Sequence, residues 1–201
     1  MTVPLDPTAG RGLRGVRTMI AALVPDAEPL VGPFRDELDP TARRGLGAHL
    51  TLVYPFVEPA AVTEATVPAL RESVAPVPAF SCAFPALRWF SDRVLWLAPD
   101  PVAEFREIAA RVRAAFPELA PEDRELVPHL TVGLRRAAPL EALRAAEAAI
   151  APRLPLTVRI DRVALMRRTE TWDVAAEAPL RVSPSGPSGR GSPGSPPGNG
   201  G

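Results

Sequence analysis

The stretch Ala48-His49-Leu50-Thr51-Leu52-Val53-Tyr54 returns 80 residues later as Pro128-His129-Leu130-Thr131-Val132-Gly133-Leu134. The chain has 201 residues and only two histidines, and each histidine opens a His-Leu-Thr triplet. Apolar residues alternate with His and Thr in both copies, which is the period of a strand with one buried face. His49 and Thr51 then share one face, as do His129 and Thr131, while Leu50, Leu52, Leu130 and Val132 anchor the opposite face in a core. The lead-in segments also match loosely, Pro40-Thr41-Ala42-Arg43-Arg44 before His49 and Pro121-Glu122-Asp123-Arg124 before His129. Strands and helices recur in similar order on either side of residue 90. An internal duplication follows, and with it an α+β fold of two lobes related by a pseudo-two-fold axis. Two mainly antiparallel sheets flank a central cleft, with helices outside.

Working outward, Met19–Val24 reads as a buried strand, and Leu30, Val31, Phe34 and Leu38 mark a helix after it. Residues 60–74 carry a helical apolar face at Val67, Leu70 and Val74. Phe80–Leu87 and Val94–Ala98 form a hairpin around Ser91-Asp92-Arg93. A helix follows, capped by Asp100 with Pro101 at its first position, and it buries Val102, Phe105, Ile108, Val112 and Phe116. Leu126–Leu134 is the second motif strand and 139–150 an Ala-rich helix. Leu154–Met166 reads as one strand with a bulge, paired with a last strand around Glu170–Ala176. Residues 1–15 and the Pro/Gly/Ser-rich 183–201 have nothing to bury and are expected to stay disordered, leaving 16–182 as the folded domain.

Composition narrows the chemistry. Basic and acidic residues cancel at 23 each, so no global field draws the chain to nucleic acid or an anionic membrane. All the basic residues are arginine. Without lysine there is no Schiff base, no lysyl-nucleotide adduct and no GxxxxGK[ST] phosphate loop. The single cysteine, Cys82, lies in an apolar run and reads as a small buried hydrophobe with no disulfide or zinc partner. No run approaches the ~18 apolar residues of a membrane span, and the N-terminus lacks a secretory apolar core, so a cytoplasmic location is expected.

Two imidazoles and two hydroxyls around one small volume suit phosphoryl chemistry. An unperturbed histidine titrates at about pH 6.5, so one ring can be neutral while its twin is protonated. The neutral ring takes a proton from the attacking water and the protonated one gives a proton to the departing oxygen. The threonine hydroxyls hold the non-bridging oxygens in line. No carboxylate or cysteine accompanies either histidine at ligand spacing, so neither a metal nor a cofactor is expected.

The pair His49-Leu50-Thr51-Leu52 and His129-Leu130-Thr131-Val132 resembles the two HxTx motifs of the 2H phosphoesterase superfamily, and most of all its 2′-5′ RNA ligase-like, RNA 2′,3′-cyclic phosphodiesterase branch. The resemblance extends through Tyr54-Pro55-Phe56, Trp96-Leu97-Ala98-Pro99 and Leu165-Met166-Arg167-Arg168…Trp172. It implies hydrolysis of a 2′,3′-cyclic phosphate to a 2′-phosphate without metal, with His49 and His129 as acid–base pair and Thr51 and Thr131 on the phosphate. A weak, reversible, ATP-independent 2′-5′ ligation is implied as well. Relatives that act on RNA ends often carry an arginine five residues after the second histidine. Here that position is Leu134, and Arg135 is the nearest substitute.

Further substrate contacts are expected from Arg168 and from Trp172, whose polar hairpin makes it the best base-stacking candidate of the three tryptophans. Tyr54 falls on the face opposite His49 by strand alternation. The expected partner is a small nucleotide or RNA end, bound by a monomer with no membrane association. A second class of reading stays open: a non-catalytic module that binds a phosphorylated nucleotide or RNA end. Which histidine is the base is not readable from two nearly symmetric motifs.

Overall fold

The computed structural model describes residues 18–119 and 125–182. The terminal segments 1–15 and 183–201, and the lead-in 121–124, lie outside the described residues.

Eight strands and four helices follow one another as β1 (Thr18–Leu23), α1 (Glu28–Leu38), β2 (His49–Val53), α2 (Thr66–Val74), β3 (Phe80–Phe90), β4 (Val94–Asp100), α3 (Ala103–Ala115), β5 (Leu130–Leu134), α4 (Leu140–Ile150), β6 (Leu156–Ile160), β7 (Arg162–Arg168) and β8 (Trp172–Pro179). The strands form one sheet in the order β6-β3-β4-β5-β2-β1-β7-β8, and every pair in it is antiparallel. Its halves are the two expected sheets. They meet at the motif strands β2 and β5, through the pair Leu50–Leu130. The units β1-α1-β2 and β4-α3-β5 repeat one arrangement, and each helix crosses to the other unit's motif strand: α1 lies against β5 and α3 against β2.

Strand alternation divides the apolar residues between the two faces. Ile20, Ala22, Leu50, Leu52, Leu95, Leu97, Leu130 and Val132 point into the main core, which also takes the buried residues of all four helices. The intervening positions form two smaller clusters on the opposite face. Met19, Ala21, Ala164, Met166 and Trp172 pack with Leu46 on one side, and Phe90, Val94, Trp96 and Leu134 on the other. The motif histidines and threonines stand between these clusters because they occupy the same alternate positions.

Gly133 shows how tightly α1 is seated. A Cβ built there would lie 2.8 Å from Leu38 Cβ, an atom fixed to the helix backbone. Gly133→Ala is therefore expected to lower stability by about 1–3 kcal/mol through overpacking, and an unchanged urea midpoint would contradict this packing.

Three expectations are corrected. Asp100 does not cap α3. It pairs with Ala83 as the last residue of β4, and the helix begins at Ala103 with no side-chain cap. Ladder pairing holds Asp100 extended, out of capping position. Likewise, Leu154–Met166 is not one bulged strand. It splits at Asp161 into β6, paired with β3, and β7, paired with β1, in opposite halves of the sheet. A chain that joins the two halves through one residue requires the sheet to curl. The curl is pinned where Leu180 N–H donates to Asp161 O (2.8 Å) and Arg181 exchanges bonds with Val77 and Ala79, just before β3. Residues 60–74 are also less helical than expected, since α2 starts only at Thr66 after a single 3-10 turn at Pro59–Ala61.

Candidate active site

Leu50 opposite Leu130 sets the register of the motif strands. Continued by one residue each way, it places His49 across from Thr131 and Thr51 across from His129. Each motif histidine is thus level with the threonine of the other motif, on one face of the sheet. The pseudo-two-fold axis passes between the two leucines.

Both rings are oriented alike. His49 Nδ1 lies 2.8 Å from Gly47 O, and His129 Nδ1 lies 2.8 Å from Val127 O, the carbonyl two residues before in each case. A carbonyl only accepts, so Nδ1 carries the proton and donates it, and the neutral ring's lone pair is on Nε2. The surroundings differ. His129 is buried against an aromatic wall, edge-on to Phe90 (5.1 Å between centroids) and Trp96 (5.9 Å), which stack on each other at 4.6 Å. His49 is half-buried near α1. Burial, and after it the Arg35 guanidinium, lower its pKa to about 4 against the opposing Gly47 carbonyl and Asp39.

Arg35 belongs to a network that sequence reading missed. Its side chain is 1% exposed, donates to Asp39 Oδ2 and Leu46 O at 3.0 Å each, and lies 3.7 Å from Glu28 Oε1. Glu28 Oε1 in turn accepts from Ala48 N–H. The Arg35/Asp39 spacing of four was the available signal; the main-chain acceptor at Leu46 left none. A cavity of about 170 Å³ opens beside Arg35, between α1 and residues 42–47, and neither histidine lines it.

The remaining candidates are placed unequally. Thr51 Oγ1 touches Met19 Sδ at 3.9 Å, and Thr131 pairs with Trp96. Leu134 is buried in the Phe90–Trp96 cluster. Arg135 is held in the turn beyond β5: its N–H donates to Arg93 O (2.7 Å) and its guanidinium to Ala138 O (3.2 Å). Trp172 is not the open stacking face expected. It is buried among Met19, Leu46 and Met166, with the Arg168 guanidinium 5.7 Å above its ring. Strand pairing brings in a residue the sequence did not flag. Arg88 on β3 pairs with Trp96, and Trp96 pairs with Thr131, so all three lie in one row of the histidine-bearing face. Arg88 is exposed.

Tyr54 is 45% exposed just past β2. Cys82 is fully buried, and burial pushes its thiol to about 11, the opposite of a nucleophile's requirement. Among the described residues no group of three or more His, Cys, Asp or Glu side chains is disposed to hold a metal ion. No helix among them is long and apolar enough to cross a membrane.

A duplicated sheet whose halves meet at two His-x-Thr strands is the architecture of the 2H phosphoesterases. The chain belongs to the 2′-5′ RNA ligase superfamily, whose sequence model matches residues 23–172. Solved structures share the fold. E. coli LigT, crystallised with 3′-AMP, gives a TM-score of 0.54 at 20% identity over 82% of this chain and 97% of LigT. TT0787 of Thermus thermophilus gives 0.53 at 22% identity, over 83% of this chain and 98% of its own. A structure described as a phosphoesterase gives 0.52 at 19% identity, over 83% and 99%. No curated protein sequence matches the chain significantly.

Proposed function

We propose that the protein hydrolyses a 2′,3′-cyclic phosphate, on a nucleotide or an RNA end, to a 2′-phosphate by metal-independent acid–base catalysis. The observation that carries this reading is the motif register, in which each histidine is level with the other motif's threonine across the Leu50–Leu130 pair. A phosphate seated there has a hydroxyl and an imidazole on each side. His49, held neutral at pH 7, takes the proton from water as its oxygen bonds to phosphorus. His129 gives its proton to the departing 3′-oxygen as the P–O3′ bond breaks, and Thr51 and Thr131 donate to the non-bridging oxygens. The complex of E. coli LigT with 3′-AMP supports a small nucleotide as the ligand class.

The test is incubation with 2′,3′-cyclic nucleotides and a short RNA ending in a 2′,3′-cyclic phosphate, in excess EDTA. Release of a 2′-phosphate is expected. Tight binding of these compounds without turnover would instead favour a non-catalytic module.

Arg88 takes the place in substrate binding that Leu134 cannot fill. Its row runs from Thr131 across Trp96, on the face that carries the motif histidines. Arg88→Ala is expected to raise KM for the RNA end about tenfold, the size of one charge-assisted hydrogen bond, and to change KM for a cyclic mononucleotide much less. Equal KM values for both substrates in wild type and variant would remove Arg88 from the site.

A further inference from the structure

We propose that Arg35 and Arg106 form a duplicated clamp, each holding the carbonyl three residues before a motif histidine, and that the buried one, Arg35, also keeps His49 in the proton-accepting role. The inference deepens the acid–base reading above and rests on it.

The clamp follows from two hydrogen bonds. Arg35, on α1, donates from Nη2 to Leu46 O at 3.0 Å. Arg106, on α3, donates from Nε to Leu126 O at 3.0 Å. Leu46 stands three residues before His49, and Leu126 three before His129. In both halves the next carbonyl along, Gly47 O or Val127 O, receives the histidine Nδ1–H. Each arginine thus grips the peptide adjoining the one that orients its ring. Because α1 and α3 are the equivalent helices of the duplicated units, the same contact has been built twice. In the first half Glu28 adds a second grip, accepting from Ala48 N–H. A Cβ at Gly47 would stand 2.9 Å from that carboxylate, so a side chain there displaces it.

The two clamps differ in their surroundings. The Arg35 side chain is 1% exposed, and its partner Asp39 is 2% exposed. The Arg106 side chain is 38% exposed, and its partner Glu125, 2.8 Å away, is 73% exposed. Water screens the second guanidinium, while the first acts through protein. The charged or titratable groups bearing on His49 are Arg35 on α1, Asp39 at the end of that helix, and His129 just before β5. The residues of β1 opposite this strand, Leu23 and Ala21, carry no charge. Arg35 therefore opposes protonation of His49, with Asp39 pulling the other way, and the ring stays a proton acceptor. The arginine that clamps the approach to His129 is the screened one. Arg35 and Arg106 are positioning residues that act on the rings through the Leu46 and Leu126 carbonyls.

With two histidines in the chain, proton NMR shows two imidazole titrations, and His129→Gln assigns them. Arg35→Met is expected to raise the His49 midpoint by about one pH unit or more, and to move the acid limb of kcat/KM with it. Arg35→Lys, which restores a cation, is expected to bring both back down. Arg106→Met is expected to leave the His49 midpoint in place and to lower kcat about tenfold, the cost of a loosened His129. Should Arg35→Met not fold, Arg35→Gln keeps a donor for Leu46 and drops the charge, and the same midpoint is read. An unmoved His49 midpoint in the neutral variant, or unchanged kcat in Arg106→Met, overturns the clamp. If wild type turned over no phosphodiester, the catalytic reading would fall while the midpoints still decided whether Arg35 governs His49.

Discussion

Alanine at His49 or at His129 is expected to lower kcat on a 2′,3′-cyclic phosphate by about 10²–10⁴-fold each, because each ring performs one proton transfer of that worth. The two losses do not add. Water attack and departure of the 3′-oxygen belong to one displacement at phosphorus, so the double variant should settle close to the worse single one. KM should change less than kcat, since Thr51 and Thr131 remain to hold the phosphate. The thermal midpoint separates chemistry from folding. His49 is half-buried, and its removal should leave stability nearly unchanged, whereas His129 packs against Phe90 and Trp96 and its truncation leaves a small void. Wild-type turnover in either single variant would rule out the paired mechanism.

The acid limb of kcat/KM is expected at about pH 4, the value to which burial and Arg35 lower His49. A base must be neutral to act, and kcat/KM reports the free enzyme. At pH 5 an imidazole of ordinary pKa is almost wholly protonated, whereas one titrating near 4 is mostly neutral. The fraction of the base that is neutral at pH 5 should therefore be about thirtyfold that of an unperturbed imidazole. A limb at pH 6.5 would show that His49 does not feel the surroundings described. The same shift has a sign in stability. Between the unfolded value of 6.5 and about 4 the unfolded chain takes up a proton that folded His49 refuses, so stability falls as pH drops through that window. Arg35→Met should flatten this dependence.

Much of the site was legible because strand geometry is local. Alternation alone puts His49 with Thr51 and His129 with Thr131, and repetition of the triplet announces that two such strands serve one volume. The apolar partners Leu50, Leu52, Leu130 and Val132 all lie in the main core, as that alternation requires. What failed was local pattern overruled by pairing. Asp100-Pro101 has the composition of a helix start, yet β3 keeps Asp100 in the sheet. Leu154–Met166 has an unbroken strand pattern, yet its two parts find partners in different halves. Trp172 sits in a polar hairpin by sequence and in an apolar cluster by contact.

By itself, the sequence determined the duplication, the face each motif residue takes, the absence of lysine chemistry and the choice of the two histidines as candidates. These follow from residue type and the two-residue period of a strand, which need no knowledge of distant neighbours. Only the tertiary structure decided that each histidine is level with the other motif's threonine, that Arg88 shares their row, and that Arg35 and Arg106 grip the approaches to the two rings. Those contacts join residues on different elements through main-chain carbonyls and strand register, and neither leaves a mark on side-chain pattern. The inequality of two nearly identical motifs is likewise tertiary in origin. A charge acts strongly or weakly on its neighbour according to how much water lies between them, and burial is set by the whole fold.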